Sequence, residues 1–192
     1  TKILGAYGDG GFIVTNDLRA FKQIKRLRFY GIETVEKNKY KNQYYACENG
    51  LNSRLDEVQA TILNFKLNKV DSFISKRRSL AKKYMTKLAK TSLRLPVEKP
   101  YCKHVYHLFT VYHPKGEAIK KILLNKKIQT RSIYPFTIQS MKAYKNIIKN
   151  KKRLKNSEIK AKGIFSLPLY PELKESEINK IIIVLKKILR KF

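Results

Sequence analysis

Apolar positions along the chain change period several times, and the changes divide it into elements. Gly11-Phe12-Ile13-Val14-Thr15 is a short apolar run of strand type. Asn16 or Asp17 then stands at a cap position, and Leu18, Phe21, Ile24 and Leu27 recur at helical spacing until Gly31. Residues 32–49 are polar and aromatic without a period, which predicts a long loop of the kind that often carries function. Ser53 is expected to cap the next helix, with Asp56 or Glu57 reaching back as in a capping box. Its inner stripe reads Leu55, Val58, Ile62 and Phe65. The helical pattern resumes through Val70, Phe73, Ile74, Leu80, Tyr84 and Leu88. That is too long for one ordinary helix, so a break is expected between Asn68 and Asp71.

The pattern changes after the two prolines Pro96 and Pro100. Val105 to Tyr112 is β-branched and aromatic and predicts a strand. Gly116 to Asn125 predicts a helix, Ile128 to Ile133 a second strand, Met141 to Ile148 a short helix and Asn156 to Phe165 another. Ser166 to Pro171 is extended, because its two prolines forbid helix continuation. Ser176 is expected to cap a last helix with Ile178, Ile181, Ile182, Leu185 and Leu189 on its inner face. The alternation is that of an α/β chain, with a small α/β domain following the long helical region.

Length and composition narrow the class. The 192 residues can bury a real core, and 43% hydrophobic with 11% aromatic residues excludes a disordered basic tail. No run of about 18 apolar residues occurs, so no transmembrane helix is expected. The opening Thr1-Lys2-Ile3-Leu4-Gly5 does not read as a signal peptide, and a cytoplasmic protein is expected. Lys plus Arg number 43 against 14 Asp plus Glu, a net charge of +29. Such a charge raises nucleic acid or an acidic partner. However, 33 of the cations are Lys and only 10 are Arg, the residue that forks onto phosphate and reads guanine. Lysine is spread along the chain together with other residues of A/T-rich codons, which points to base bias. Only Lys149 to Arg153 forms a dense run.

Candidate chemistry lies near the start. Lys2 precedes Gly5-Ala6-Tyr7-Gly8-Asp9-Gly10-Gly11, whose glycines let the backbone turn tightly and approach a ligand. A Walker A loop is absent, and Gly8 and Gly10 lead into the predicted strand instead of out of one, unlike a dinucleotide fingerprint. Cys47 and Cys102 lack metal-like spacing. His104 and His107 fall three apart on a predicted strand, on opposite faces, so no metal pair is expected.

Three segments together carry a resemblance. Thr1-Lys2-x-Leu4-Gly5-Ala6-Tyr7-Gly8-Asp9-Gly10-Gly11 is similar to the lysine segment of the DegT/StrS-type sugar aminotransferases, which are fold-type I enzymes using pyridoxal phosphate. Gly50-x-Asn52-Ser53-Arg54-Leu55-Asp56-Glu57-x-Gln59-Ala60 resembles their second motif, and Ser166-Leu167-Pro168-x-Tyr170-Pro171 their third. The fold implied is the C-terminal part of a fold-type I transferase: residues 1–75 as a remnant of the large cofactor domain and 76–192 as a small α/β domain.

The resemblance also implies roles. Lys2 would hold the cofactor aldehyde as a Schiff base and shuttle a proton. Asn52 or Arg54, both in the segment placed near the cofactor phosphate, would reach that phosphate in a partner subunit of a homodimer, although Asn52 and Ser53 also suit plain helix capping. His107 and Tyr134 would lie near the sugar, and a structural role for His107 stands beside that. The chain departs from the family at Ile3, Ile133, Thr137 and Gln139, where Asn, His and the Pro-x-His pair are usual. The implied reaction passes an amino group from glutamate to a 3-oxo or 4-oxo 6-deoxyhexose on dTDP or UDP, for glycan or lipopolysaccharide synthesis. Family enzymes run to roughly twice this length, so the half holding the pyridine-nitrogen Asp and most phosphate contacts would be missing. Neither a membrane nor nucleic acid is expected as the enzyme's partner. The rival reading is an inactive basic protein that binds nucleic acid or an acidic partner.

Overall fold

The computed structural model describes residues 2–32, 45–144, 147 and 154–192. The chain divides into two units, Thr1–Val70 and Asp71–Phe192. The first holds helices α1 (Leu18–Leu27) and α2 (Glu57–Leu67). Asp17 caps α1, its Oδ1 accepting the Arg19 and Ala20 N–H groups at 2.8 and 3.2 Å. Asp56, not Ser53, caps α2, accepting from Val58 and Gln59 at 2.8 and 3.3 Å. The Ser53 N–H is already bonded to Arg28 O, which keeps that stretch extended and delays the helix by a turn. The break falls where expected, between Leu67 and α3 (Val70–Leu88).

Neither α1 nor α2 contains a buried residue. The expected stripe on α2 is uncovered, with Val58 and Phe65 each 63% exposed. The run Gly11–Thr15 forms no strand, and Phe12, Ile13 and Val14 are largely exposed. A strand exists only where a second backbone completes its ladder, and none pairs with this run among the described residues.

The second unit has a continuous core. Its strands β1 (Phe109–Tyr112) and β2 (Ile164–Leu167) pair antiparallel, with Phe109 opposite Leu167 and Tyr112 opposite Ile164. Single bridges from Arg94 to Tyr112 and from Arg131 to Ser166 widen the pair on either side. Helices α4 (Gly116–Asn125), α5 (Lys155–Gly163) and α6 (Glu175–Leu189) pack around it. Tyr84 and Leu88 of α3, Phe109, Ile119, Leu123, Phe165, Ile178 and Leu185 are sealed from solvent. The Tyr84 and Phe109 rings lie 4.9 Å apart, and the Tyr84 hydroxyl donates to Pro168 O at 3.0 Å. Burial raises the pKa of that hydroxyl above the usual phenol range.

Several sequence expectations are corrected here, most of them by a competing hydrogen bond. The strand foreseen over Val105–Tyr112 starts only at Phe109, because Tyr106 takes a left-handed φ of 46° and side chains bind the preceding carbonyls. His104 and His107 therefore sit in a turn, not on a strand. The strand foreseen over Ile128–Ile133 shrinks to the Arg131 bridge: Ser132 Oγ donates to Ile164 O at 2.7 Å, in place of a ladder bond. The helix foreseen through Phe165 stops at Gly163, since Ile164 and Phe165 join β2. Gly163 also meets Gly116 so closely that a Cβ on Gly116 would lie 2.4 Å from Gly163 O. In place of the helix foreseen from Met141 there is a 3-10 turn at Lys142–Tyr144, preceded by another at Ile138–Ser140, and residues 145, 146 and 148 lie outside the described residues. The last helix begins before Ser176, where Glu177 Oε2 accepts the Lys174 N–H at 2.8 Å. Its expected inner face is buried throughout. Among the described residues, no helix is long and apolar enough to cross a membrane.

Two outcomes test this architecture. Phe109→Ala should cost the second unit about 3–5 kcal/mol in denaturant unfolding, whereas Val58→Ala should change stability by less than about 0.5 kcal/mol. His113 is buried, its Nδ1 accepts the Lys115 N–H at 3.0 Å, and burial lowers its pKa. The unfolded chain binds the proton more readily, so stability present above about pH 6.5 should fall as pH drops below that value. His113→Gln should flatten that fall in a pH series of unfolding curves.

Candidate functional site

The first unit is organised where the chain leaves α1. Phe29 bridges Asn52, Tyr30 N donates to Leu51 O at 3.0 Å, and Leu51 N donates to Leu27 O at 2.7 Å. The second motif thus lies antiparallel to the end of α1. Glycine permits this: a Cβ on Gly50 would lie 2.0 Å from Gly31 N, and Gly31 itself has φ 72°. Beyond the crossing, Arg54 Nε donates to Asn52 Oδ1 at 3.1 Å. Its guanidinium stands 5.3 Å from the Phe29 ring centre and 5.9 Å from that of Tyr30. An amide below and two aromatic rings beside it hold the cation in one orientation, at a modest gain for each exposed cation–π contact.

Helix α2 fixes the glycine-rich segment to the same unit. Gln59 Oε1 accepts both the Tyr7 and the Gly8 N–H, at 2.8 and 3.0 Å. Two turns later, Lys66 Nζ donates to Gly5 O and lies 5.3 Å from the Tyr7 ring centre. Positions seven apart share a helix face, so one side of α2 serves as a clamp. A cavity of about 350 Å³ then opens between Asp9-Gly10-Gly11 and Ser53-Arg54-Leu55. It brings the first two motifs together around one oriented guanidinium.

The predicted site residues fall in both units. Lys2, Asn52 and Arg54 belong to the first, and His107 and Tyr134 to the second. Lys2 is exposed at the head of its segment and is not among the residues lining the cavity. Asn52 and Arg54 are in direct contact. His107 is half-buried in the turn before β1, and Tyr134 is 69% exposed. Gln59 enters the sequence reading only as part of the second motif, with no role, and Lys66 does not enter it, although their spacing of seven on one helix is a usable signal. The basic run at Lys149 to Arg153 lies outside the described residues.

Comparison with known proteins shows the family. A sequence profile of the DegT/DnrJ/EryC1/StrS aminotransferase family matches residues 1–186. The chain belongs to that family. It is 37% identical to dTDP-3-amino-3,4,6-trideoxy-alpha-D-glucose transaminase of Micromonospora megalomicea subsp. nigra, over 98% of this chain and 50% of the relative. It is 31% identical to UDP-N-acetyl-3-dehydro-alpha-D-glucosamine 3-aminotransferase of Acidithiobacillus ferrooxidans, over 98% of this chain and 48% of the relative. Among solved structures, S. venezuelae DesV superposes with a TM-score of 0.89 at 31% identity, covering 99% of this chain and 49% of its own. The family member spans about half the length of the curated relatives it matches. Its fold is that of the corresponding half of these aminotransferases.

The clamp can be tested directly. Gln59→Ala leaves the Tyr7 and Gly8 N–H groups without their protein acceptor, each bond worth about 0.5–1.5 kcal/mol. Hydrogen exchange at those two amides should speed up roughly tenfold, while the amides of β1 stay unchanged.

Proposed function

We propose that this chain is the C-terminal half of a pyridoxal-phosphate-dependent aminotransferase that converts a nucleotide-linked keto-sugar to an amino sugar, with glutamate as donor. The observation that carries the proposal is the 37% identity over 98% of the chain to a dTDP-amino-sugar transaminase. A 31% identical relative acting on a UDP-linked sugar supports a nucleotide-sugar substrate without choosing the nucleotide.

The donor set fits the cofactor. An exposed primary amine at Lys2 suits an aldehyde, and an oriented guanidinium with a neighbouring amide suits a phosphate ester. The cavity between Gly10-Gly11 and Arg54 has little side chain to fill it. Bound pyridoxal phosphate would supply the electron sink. The chain's own residues do the rest. Lys2 would hold the cofactor aldehyde, and its freed Nζ would move a proton between the substrate carbon and the cofactor carbon. Arg54, braced by Asn52, Phe29 and Tyr30, binds phosphate in the cofactor site of a second copy, in a homodimer. His107 and Tyr134 contact the sugar nucleotide. Residues 1–75 are assigned to the large cofactor domain and 76–192 to the small one.

The test completes the protein with an N-terminal half and adds pyridoxal phosphate. Borohydride reduction should then fix one pyridoxyl group on Lys2, seen by peptide mass mapping. Lys2→Ala should abolish both the label and turnover of a dTDP- or UDP-keto-hexose. A visible cofactor band that survives Lys2→Ala overturns the Lys2 assignment.

A further inference from the structure

The turn that carries His107 is held by two successive arginines of α3. Arg77 Nη1 lies within hydrogen-bond distance of three carbonyls: Tyr106 O at 3.3 Å, His107 O at 3.1 Å and Leu169 O at 2.8 Å. Arg78 Nη1 donates to His104 O and to Glu98 Oε1, both at 2.6 Å. Glu98 in turn accepts the His104 N–H at 2.8 Å. Between these anchors His104 Nδ1 accepts the Tyr106 N–H at 2.8 Å, and Tyr106 is buried with φ 46°. A left-handed aromatic residue costs energy and persists only where its surroundings over-determine it.

Arg77 does more than fasten a helix to a loop. Two of its acceptors are the carbonyls of the two peptides that flank the His107 Cα. The third belongs to Leu169, between Pro168 and Tyr170 of the third motif, where the prolines hold the backbone extended. One guanidinium therefore sets the His107 turn against the third motif. The arrangement is not the most economical for stability. Arg77 Nε is buried without a hydrogen-bond partner among the described residues, and a buried unmet donor is costly. Burial also lowers the Arg77 pKa, opposed by Glu172, though a guanidinium stays charged.

We propose that Arg77 is a positioning residue for the keto-sugar half of the reaction: it fixes the backbone on both sides of His107 so that the imidazole meets the nucleotide sugar in one orientation. The proposal rests on the aminotransferase reading above, in which His107 contacts that substrate. An aminotransferase works in two separable halves, and only one of them involves the sugar. A residue that served stability alone would disturb both halves or neither.

The experiment uses the completed holoenzyme with Arg77→Met, which keeps the length and apolar stem, and Arg77→Lys, which can reach fewer of the carbonyls at once. Each half-reaction is followed singly by the cofactor's visible absorbance. Arg77→Met should leave the glutamate half within about twofold of wild type and slow the keto-sugar half about 10- to 100-fold, the scale of a small misplacement of a binding group. Arg77→Lys should recover part of the loss. Hydrogen exchange on the 192-residue chain, free of any activity, should show faster exchange confined to residues 104–108. Equal slowing of both halves, or none, overturns the proposal. If Arg77→Met does not fold, Glu98→Gln, which loosens the other anchor of the turn, must reproduce the same split, and failure to do so overturns it equally. A wild-type holoenzyme that binds no pyridoxal phosphate or turns over no keto-sugar instead refutes the aminotransferase reading itself.

Discussion

A backbone group that leaves a ladder must find another partner, and in this chain long side chains from helices provide it. Gln59 and Lys66 of α2 bind the glycine-rich segment through its Tyr7, Gly8 and Gly5 backbone groups. Arg77 and Arg78 of α3 bind the carbonyls of His104, Tyr106, His107 and Leu169. Tyr84 takes the Pro168 carbonyl and Ser132 that of Ile164. The first motif is irregular backbone, and the second and third are irregular up to the start of α2 and beyond the end of β2, which lets them approach a ligand while helix side chains fix their geometry. Helix packing thereby becomes site geometry.

The two units meet this constraint with different resources. In the second, β1 and β2 are short, but α3, α4 and α6 close over them and Phe109, Phe165 and Leu185 are sealed. In the first, the helices expose the stripes that should bury them, so local hydrogen bonds and glycine contacts carry the order. Gly31 and Gly50 cross almost backbone to backbone, and that crossing delivers Asn52 and Arg54. The clamp and the crossing therefore set the backbone of this unit, although each exposed bond is individually weaker than an equal bond inside a packed core.

What the sequence reveals follows the same division. Helices whose stripe meets a core were legible: α4 matches its predicted span, and every residue expected on the inner face of α6 is buried. Strands were legible only in part: β1 lies inside its expected span, but a period of two says nothing about the partner that completes the ladder. Gly11–Thr15 finds none, and residues 105–108 lose theirs to arginine side chains. Caps were misplaced at Ser53 and Ser176 for a related reason: the local pattern cannot show that Ser53 N is already bonded to Arg28 O. The motif residues Lys2, Asn52 and Arg54 were legible through resemblance. Gln59 was legible only as a motif position without a role, and Arg77 and Arg78 were not legible, since a polar residue on a helix reads as solvated surface until the backbone group it meets is known.

The net charge of +29 gains a limit from the same contacts. With 14 carboxylates against 43 cations, few pairs can form, and the described ones include Arg26–Glu48, Arg78–Glu98, Lys83–Glu175 and Lys120–Glu117. Arginine takes the fixed positions, at Arg54, Arg77 and Arg78, where a planar fork can meet two or three acceptors or lie against a ring. Most lysines have exposed, hydrated ammonium groups and form a diffuse positive field. Such a field draws any anion near without choosing one. Selection between anions must then come from the few oriented cations, and among them Arg54 lines a cavity beside the glycine-rich segment.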